Sequence, residues 1–398
     1  MNAITSDWES AALSDVVSIE IGRTPSRAKP QYWGGSTKWL TISDYKHGDR
    51  IEDTSESISD RGVRECGMRI HPPGTLVMSF KLTIGKLGII EKPMATNEAI
   101  AALKPRSCEQ LDSRYLFHFL SQFNFDSHID RAAKGGTLNK AKLQGLRITF
   151  PKVIGEQRRL AAILDRADGI RRKRDKAIGL VDGFLMSVFY DSFGGQFDNP
   201  KDHSVKSFGS MLCFPLRNGI SPSSKGQVDA DVLTLSAITG NGFDYHQRKS
   251  GRFIEPISAK DVVSDKDFYI CRGNGSPELV GKGVFASQSM PGVAFPDTMI
   301  AARPDPGVLQ PGFLETTWNS PFVRNQIIAA ARTTNGTFKV NQTAVENIKF
   351  PVPPIDDQLE FEQIWQKCSL IKKRLRTEVF GDAALFASLS QRAFRGEL

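Results

Sequence analysis

Gly136-Thr-Leu-Asn-Lys-Ala-Lys-Leu-Gln-Gly-Leu-Arg-Ile-Thr-Phe-Pro151 recurs in the same chain as Gly336-Thr-Phe-Lys-Val-Asn-Gln-Thr-Ala-Val-Glu-Asn-Ile-Lys-Phe-Pro351. Gly, Thr, Ile, Phe and Pro match at a single offset of 200 residues. Ile100-Ala-Ala-Leu-Lys-Pro105 echoes Ile300-Ala-Ala-Arg-Pro304 at that offset, and Trp39-Leu-Thr-Ile-Ser43 resembles Val232-Leu-Thr-Leu-Ser236. Three echoes in one order are hard to obtain by chance. The period is too long for a solenoid, whose units bury their faces only against neighbours. It fits a tandem duplication of one whole module, each copy with its own core.

Inside each copy the pattern changes character. Short apolar runs broken by Gly, Pro, Asn and Asp, such as Thr75-Leu-Val-Met-Ser-Phe80 and Asp267-Phe-Tyr-Ile-Cys271, read as strands and turns. One helix is expected in each copy, around Leu111–Asp130 and Gly312–Ala331. After each Phe-Pro the apolar period becomes helical. Counting Leu160 as position a gives Leu160, Ala167, Arg174, Val181 and Val188 at a, and Ile163, Ile170, Ala177 and Phe184 at d. The second copy gives Phe361, Cys368, Leu375, Asp382 and Leu389 at a, and Ile364, Ile371, Glu378 and Leu385 at d. A seam repeating every 3.5 residues signals a coiled coil, with Arg174 set to pair with an acid on the facing helix. The alternative is an amphipathic helix packed on its own domain. Equivalent helices in a duplication favour mutual pairing, antiparallel if a pseudo-twofold axis relates the copies.

The expected fold is therefore mixed α/β: two similar globular domains joined by two long antiparallel helices. The boundaries expected are 1–153 and 195–353 for the domains, with connector helices at 154–194 and 354–398. A helix from Glu156 to Ser192 is about 54 Å long, on the order of one and a half turns of B-DNA.

The chain has 398 residues, of which 40% are apolar and 24% charged, so real cores are within reach and disorder is excluded. No run of 18 apolar residues exists, and the start Met1-Asn-Ala-Ile-Thr-Ser-Asp-Trp8 lacks a basic-then-apolar signal. A cytoplasmic protein is expected, in keeping with five scattered cysteines and no CxxC. Against 44 acids stand 52 Lys and Arg, a net charge of +8 that suits a polyanionic partner.

Catalytic constellations are missing. Gly275-Ser-Pro-Glu-Leu-Val-Gly-Lys-Gly283 has the wrong spacing for a phosphate-binding loop and no hydroxyl after Lys282. Asp297 follows Pro296, yet no Asp-x-Lys or Glu-x-Lys lies downstream to complete a metal-dependent nuclease. The six histidines, His47, His71, His118, His128, His203 and His246, show no zinc spacing. No catalytic and no metal residue is expected.

Cations gathered with aromatics and turn formers make a better case. The first copy offers Arg23, Arg27, Lys29, Lys46, Arg50, Lys81, Lys86 and Lys134. The second offers Arg217, Lys225, Arg248, Lys249, Arg252, Arg272, Asn274, Lys282, Arg332 and Lys339. Arg, Lys and Asn on loops suit base edges and phosphates of double-stranded DNA. Each alone reads first as a solvated surface charge; on duplicated domains, the set favours DNA. Arg171-Arg-Lys-Arg174 faces either a DNA backbone or solvent. Two divergent readers on a rigid spacer would recognise two different half-sites at a fixed gap.

With those residues in place, the chain resembles the specificity subunits of Type I restriction–modification enzymes. The carriers are Trp8 with Leu13-Ser-Asp-Val-Val17, Gly22-Arg-Thr-Pro-Ser26, Tyr32-Trp-Gly-Gly35, Trp39-Leu-Thr-Ile-Ser-Asp44, Gly85-Lys-Leu-Gly88, Gly136 to Pro151, and Glu156-Gln-Arg-Arg-Leu-Ala-Ala-Ile-Leu164. The resemblance implies two target-recognition domains, each reading part of a split DNA sequence, and paired helices that set the spacer. It implies two methyltransferase subunits as partners, with restriction subunits joining some complexes. S-adenosylmethionine, ATP and Mg²⁺ would then belong to the partners, and this chain would carry no cofactor of its own. The second copy departs at Ser221-Pro-Ser-Ser-Lys225 and at Asp357-Gln-Leu359. A stand-alone nucleic-acid-modifying enzyme and a purely structural adaptor are the competing readings.

Overall fold

The computed structural model describes residues 7–45, 49–125, 130–132, 135–198, 204–240, 242–334 and 336–398. The chain divides into two units, Met1–Asp175 with Thr377–Leu398, and Lys176–Arg376. Two long helices, Ile154–Asp198 and Ile355–Ala393, each contribute one part to each unit.

In the first unit a five-stranded sheet runs in the order Val17–Ile21, Ile100–Pro105, Leu76–Ser79, Leu87–Ile90, Arg50–Ile51. All its pairings are antiparallel except the last. Trp33–Leu40 lies between antiparallel Glu56–Ile58 and parallel Met94–Thr96. Trp8–Ala12 closes against Arg147–Pro151. The second unit repeats this plan. Met299–Ala302 and Phe268–Cys271 are the inner strands of a four-stranded sheet, Val228–Leu233 lies between antiparallel Arg248–Phe253 and parallel Met290–Ala294, and Val205–Ser207 closes against Lys349–Pro351. The near-continuous apolar runs read from the sequence become strands buried on both faces: Leu76–Ser79, Phe268–Cys271 and Met299–Ala302 are buried at every residue.

The duplication is finer than one constant offset. Asn139 caps Lys140–Gln144 by accepting from the Lys142 amide at 2.9 Å, and Asn341 caps Gln342–Glu346 by accepting from the Ala344 amide at 2.8 Å. These caps correspond two residues beyond the Gly-Thr match. The prolines realign because Arg147–Pro151 has five residues and Lys349–Pro351 three. The single helix expected around Gly312–Ala331 is two, Pro311–Trp318 and Pro321–Ala330. Pro321 has no amide to donate, and Ser320 before it is extended, so the first helix stops there.

Each long helix begins with a fully buried glutamine that stitches it to its own domain. Gln157 accepts from the Asp112 amide at 2.9 Å and donates to the Gln110 and Pro151 carbonyls, both at 2.8 Å. Gln358 accepts from the Gln310 amide at 3.0 Å and donates to the Val308 and Pro353 carbonyls at 3.0 and 2.9 Å. One buried amide group satisfies three backbone groups, twice over.

Within the first unit, Arg159 donates to the Leu398 carbonyl at 2.8 Å, while Arg174 reaches Glu378 at 3.3 Å and also pairs with Asp382. The two helix segments are therefore antiparallel. Within the second unit, Lys372 meets Asp182 at 2.9 Å and Phe361 stacks on Phe189 and Phe193, so the segments there are antiparallel as well. The Arg174 pairing is the one expected from its place in the seam.

The heptad period holds, but the second row of the seam moves by one residue. Leu164, Ile178 and Leu185 are buried where Ile163, Ala177 and Phe184 were expected to be innermost. Ile170 and Phe184 stand 44% and 56% exposed, and on the other helix Ile371 and Leu385 are 49% and 54% exposed. Leu160, Ala167, Val181, Phe361, Cys368, Leu375 and Leu389 keep inward places, with Ile364 packed at the edge of the second core. Both rows carry apolar residues, so the helix sequence alone does not choose between them. The domain cores choose: Leu164 joins the first core and Leu185 the second.

A second set of ties fastens the first domain to its helix. His118, 2% exposed, bonds Asp165 through Nε2 at 2.7 Å, and Arg114 reaches the same carboxylate at 2.6 Å. Burial opposes the Asp165 charge, yet the His118 and Arg114 hydrogen bonds prevail and hold its pKa at about 2. Arg114 and Arg172 together clasp Asp49, itself 4% exposed.

Two expectations follow. Gln157→Leu and Gln358→Leu each remove three hydrogen bonds to backbone groups, so each should destabilise its own unit by about 3 kcal/mol. Hydrogen exchange should rise in the altered unit alone; a loss of under about 1 kcal/mol would contradict the stitch. The lowered pKa of Asp165 contributes stability above the ordinary carboxylate range, lost as pH falls through about 2. Asp165→Asn should therefore flatten the acid limb of the unfolding curve between about pH 4 and 2.

Candidate nucleic-acid interface

The basic residues singled out in the sequence separate into three groups. Lys46 and Lys134 lie outside the described residues.

Some of the cations hold the protein together. Arg217 reaches the fully buried Asp267 at 2.7 Å beside Arg303, also at 2.7 Å, and donates to the Lys260 carbonyl. A buried carboxylate needs such partners, so this guanidinium is structural. Lys282 donates to the Thr239 carbonyl at 3.2 Å and to that of Gly240, closing the end of Ser236–Thr239; burial, with Arg324 and Arg376 nearby, pulls its pKa down. Arg23 donates to the Cys66 carbonyl at 3.0 Å, and Arg50 pairs with Glu91 at 2.9 Å.

A second group surrounds the tryptophans of the first unit. The Arg27 guanidinium lies 3.9 Å from the Trp33 ring centroid and 5.3 Å from that of Trp39, and bonds both Glu56 oxygens at 2.5 and 2.8 Å. The Glu56 hydrogen bond raises its pKa. Lys29 donates to the Tyr32 hydroxyl at 3.1 Å, which donates onward to Glu65 at 2.7 Å. Stacking and pairing fix the Arg27 head on an exposed surface, with its remaining N–H groups unspent by these bonds.

The third group is brought together on small sheets at equivalent places. In the second unit Thr337–Lys339 lies between Gly273–Asn274 and Arg332–Thr334. Lys339 stands directly opposite Arg332 on one side and Gly273 on the other; Arg272 precedes that glycine and donates to the Asp297 carbonyl at 3.1 Å. Asn274 accepts from the Ser276 amide. Like charges facing each other across a ladder destabilise it unless an anion lies between them. Arg332 and Lys339 are exposed, so a phosphate can reach both. The first unit has the same sheet from Lys81–Leu82, Gly135–Thr137 and Asp130–Ala132. Lys81 lies 5.5 Å from the Phe80 ring, and Lys86 is exposed beyond the turn at Gly85, whose φ of +83° suits glycine. Arg248, Ser250 and Arg252 alternate along Arg248–Phe253 with Lys249 on the opposite face; Arg248 lies 3.7 Å from Asp231, which accepts from Ser250 at 2.7 Å. Lys225 is exposed on the preceding loop.

The arginines of the run Arg171–Arg174, left open between DNA and solvent, are half-buried and paired within the protein. Arg171 pairs with Asp168 at 2.7 Å, Arg172 with Asp168 at 3.0 Å and with Asp49, and Arg174 with the facing helix. Sequence reasoning passed over Asp49 and Arg114, and it held Gln157 only as part of a helix-start motif from which the second copy departs in sequence, although Gln358 repeats its bonds. The one available signal was the Asp168 and Asp175 spacing around the run, which announces helix-face pairs.

Among the described residues no group of three or more His, Cys, Asp or Glu side chains is placed to hold a metal ion. No helix among them is long and apolar enough to cross a membrane. The five cysteines are free thiols.

Residues 5–178 match the family model of the Type I restriction modification DNA specificity domain. The chain is 25% identical over 309 residues to the Type I restriction enzyme EcoKI specificity subunit of Escherichia coli strain K12, covering 72% of this chain and 66% of that one. It is 25% identical over 195 residues to the MjaIX specificity subunit of Methanocaldococcus jannaschii, covering 48% and 44%. The chain thus spans between two fifths and two thirds of these relatives. The crystal structure of a Type I restriction–modification system S subunit from M. genitalium shares the fold, with a TM-score of 0.56 at 12% identity over 99% of this chain and 98% of that one. The matched domain and the relatives point one way: the first part of the chain is similar to the specificity subunits of Type I restriction–modification systems, and the fold is shared with one of them.

Proposed function

We propose that the chain confers DNA sequence specificity on a Type I restriction–modification complex, each unit's recognition domain reading one half of a bipartite double-stranded target. The observation that carries this reading is the duplicated small sheet, with Arg332 opposed to Lys339 and Arg272 alongside. Phosphate relieves that repulsion, and backbone contacts of this kind position a reader without themselves specifying sequence. The Arg27 head stacked on Trp33 supplies a preset fork in the first unit.

The paired helices set the spacer and receive the partners. Leu180, Phe184, Leu370 and Ile371 in the second unit, and Ile170 and Leu385 in the first, are large apolar side chains left at the surface of the paired segments. They suit helices of two methyltransferase subunits, with restriction subunits added in complexes that cleave. S-adenosylmethionine, ATP and Mg²⁺ belong to those partners, and the chain by itself is not catalytic. No arrangement among the described residues favours a stand-alone enzyme. The complex works in the cytoplasm, where DNA lies.

Binding of the chain with its methyltransferase partner to one bipartite duplex over scrambled DNA tests the reading; equal affinity for both at every salt concentration would defeat it. Affinity should fall steeply with salt, by a log–log slope of roughly 0.9 per neutralised phosphate. Arg332→Ala and Lys339→Ala should each reduce that slope by about 1. Arg217→Met should leave the slope unchanged and lower the stability of its unit by about 3 kcal/mol, because Asp267 loses a buried partner. An unchanged slope in the first two variants would remove the sheet from the interface.

One heptad inserted after Ala177, matched by one after Leu375, lengthens both helices by about 10 Å. Methylome sequencing should then show a gap longer by roughly three base pairs, taking 3.4 Å per step, with both half-site sequences unchanged. An unaltered gap would mean the helices do not measure it.

A further inference from the structure

Asp49 is where three parts of the first unit meet. Its carbonyl accepts from the Ile89 amide at 2.6 Å, which seats Arg50–Ile51 on the edge of the five-stranded sheet. One carboxylate oxygen takes Arg172 of the long helix, the other Arg114 at the start of Ser113–Ser121. Arg172 also holds Asp168 at 3.0 Å and Arg114 also holds Asp165 at 2.6 Å, so both guanidiniums are fixed from the helix side. Burial works against the Asp49 charge, but Arg172 and Arg114 outweigh it and its pKa falls.

The stretch that follows Asp49 leads into the exposed cation–aromatic surface. The Asp44 carboxylate accepts from the Ser55 amide at 2.9 Å and from Thr41, closing the segment. Glu56 comes next and grips Arg27 over Trp33. A shift of the segment at Asp49 therefore moves Glu56 and re-aims Arg27. The matching place in the second unit is built otherwise. Lys282 donates to the Thr239 and Gly240 carbonyls there, and Gly242, at φ +133°, lies so close to the Arg376 guanidinium that a Cβ would fall 2.6 Å from it. Glycine stands beside the helix cation where the first unit has a carboxylate.

Resting on the DNA-specificity reading above, we propose that Asp49 is a positioning residue for the first domain: by clasping Arg172 it locks the segment carrying Arg50 and Glu56 to the long helix, and the selectivity of one half-site depends on that lock. The second half-site does not use it. The coupling runs through contiguous packed groups, which gives it a physical carrier.

The full chain in complex with its methyltransferase partner, carrying Asp49→Asn or Arg172→Met, tests this by methylome sequencing scored separately for each half of the motif, beside thermal unfolding of the same complexes. Both variants should relax base discrimination about tenfold in the same half and leave the other half at wild-type stringency. Arg172→Met, altered at a side chain one third exposed, keeps the test open if Asp49→Asn does not fold. Unchanged discrimination in both halves would overturn the proposal. So would a fall in total methylation with the motif intact, accompanied by a lowered unfolding temperature, because that marks a role in stability alone. A wild-type complex lacking any two-part motif would overturn the parent reading, a result separable from intact motifs in the variants.

Discussion

A side-chain amide with no exposure to water sits at the base of each long helix, and the whole arrangement depends on it. Gln157 and Gln358 occupy the first turn, and each bonds backbone groups of the chain just before it and of a neighbouring loop. An apolar side chain would leave those groups orphaned, and a carboxylate would lose both donors. Only an amide offers an acceptor and two donors at one spot. Because each domain hangs from its helix through that group, the direction of the helix relative to its own domain is set by one local hydrogen-bond pattern. Everything further along, including the ion-paired seam and the exposed cations, inherits that alignment.

Beyond the glutamines the two copies solve the same mechanical problem with different chemistry. The first unit grips its helix with charge: Asp49, Asp165 and Asp168 against Arg114 and Arg172. The second relies on aromatic packing, with Phe189, Phe193, Phe313 and Phe361 edge to face, and keeps its buried ionic triad inside the domain at Arg217, Asp267 and Arg303. Ionic clusters demand exact partners, whereas apolar contacts tolerate adjustment. Divergence after duplication has thus left two domains of one fold with unlike internal constraints.

The doubled fold was legible because its evidence is repetitive. Gly136 to Pro151 and Gly336 to Pro351, the Trp39 and Val232 strands, and the heptads after each Phe-Pro survive comparison of the chain with itself. The choice between Ile163 and Leu164, or Phe184 and Leu185, was not legible, since both rows are apolar and the deciding contacts come from residues far away in sequence. The basic residues were legible as a class and not in their roles. Nothing near Arg217 in sequence reveals Asp267, fifty residues on, and nothing near Arg172 reveals Asp49. Long-range ion pairs of this kind turn conspicuous cations into internal struts, whereas Arg332 and Lys339 stay exposed because their neighbours across the ladder are a cation and a glycine.

The first hydrophobic core is assembled from stretches far apart in sequence: Phe386, Leu389, Phe394 and Leu398 pack with Trp8, Leu13 and Tyr115. During synthesis the leading segment leaves the ribosome long before the residues that seal it. The trailing module, bounded by Lys176 and Arg376, is contiguous and can mature while the nascent chain is still attached. The module translated first is therefore the last to close, because Phe386, Leu389 and Phe394 follow the whole second module in sequence.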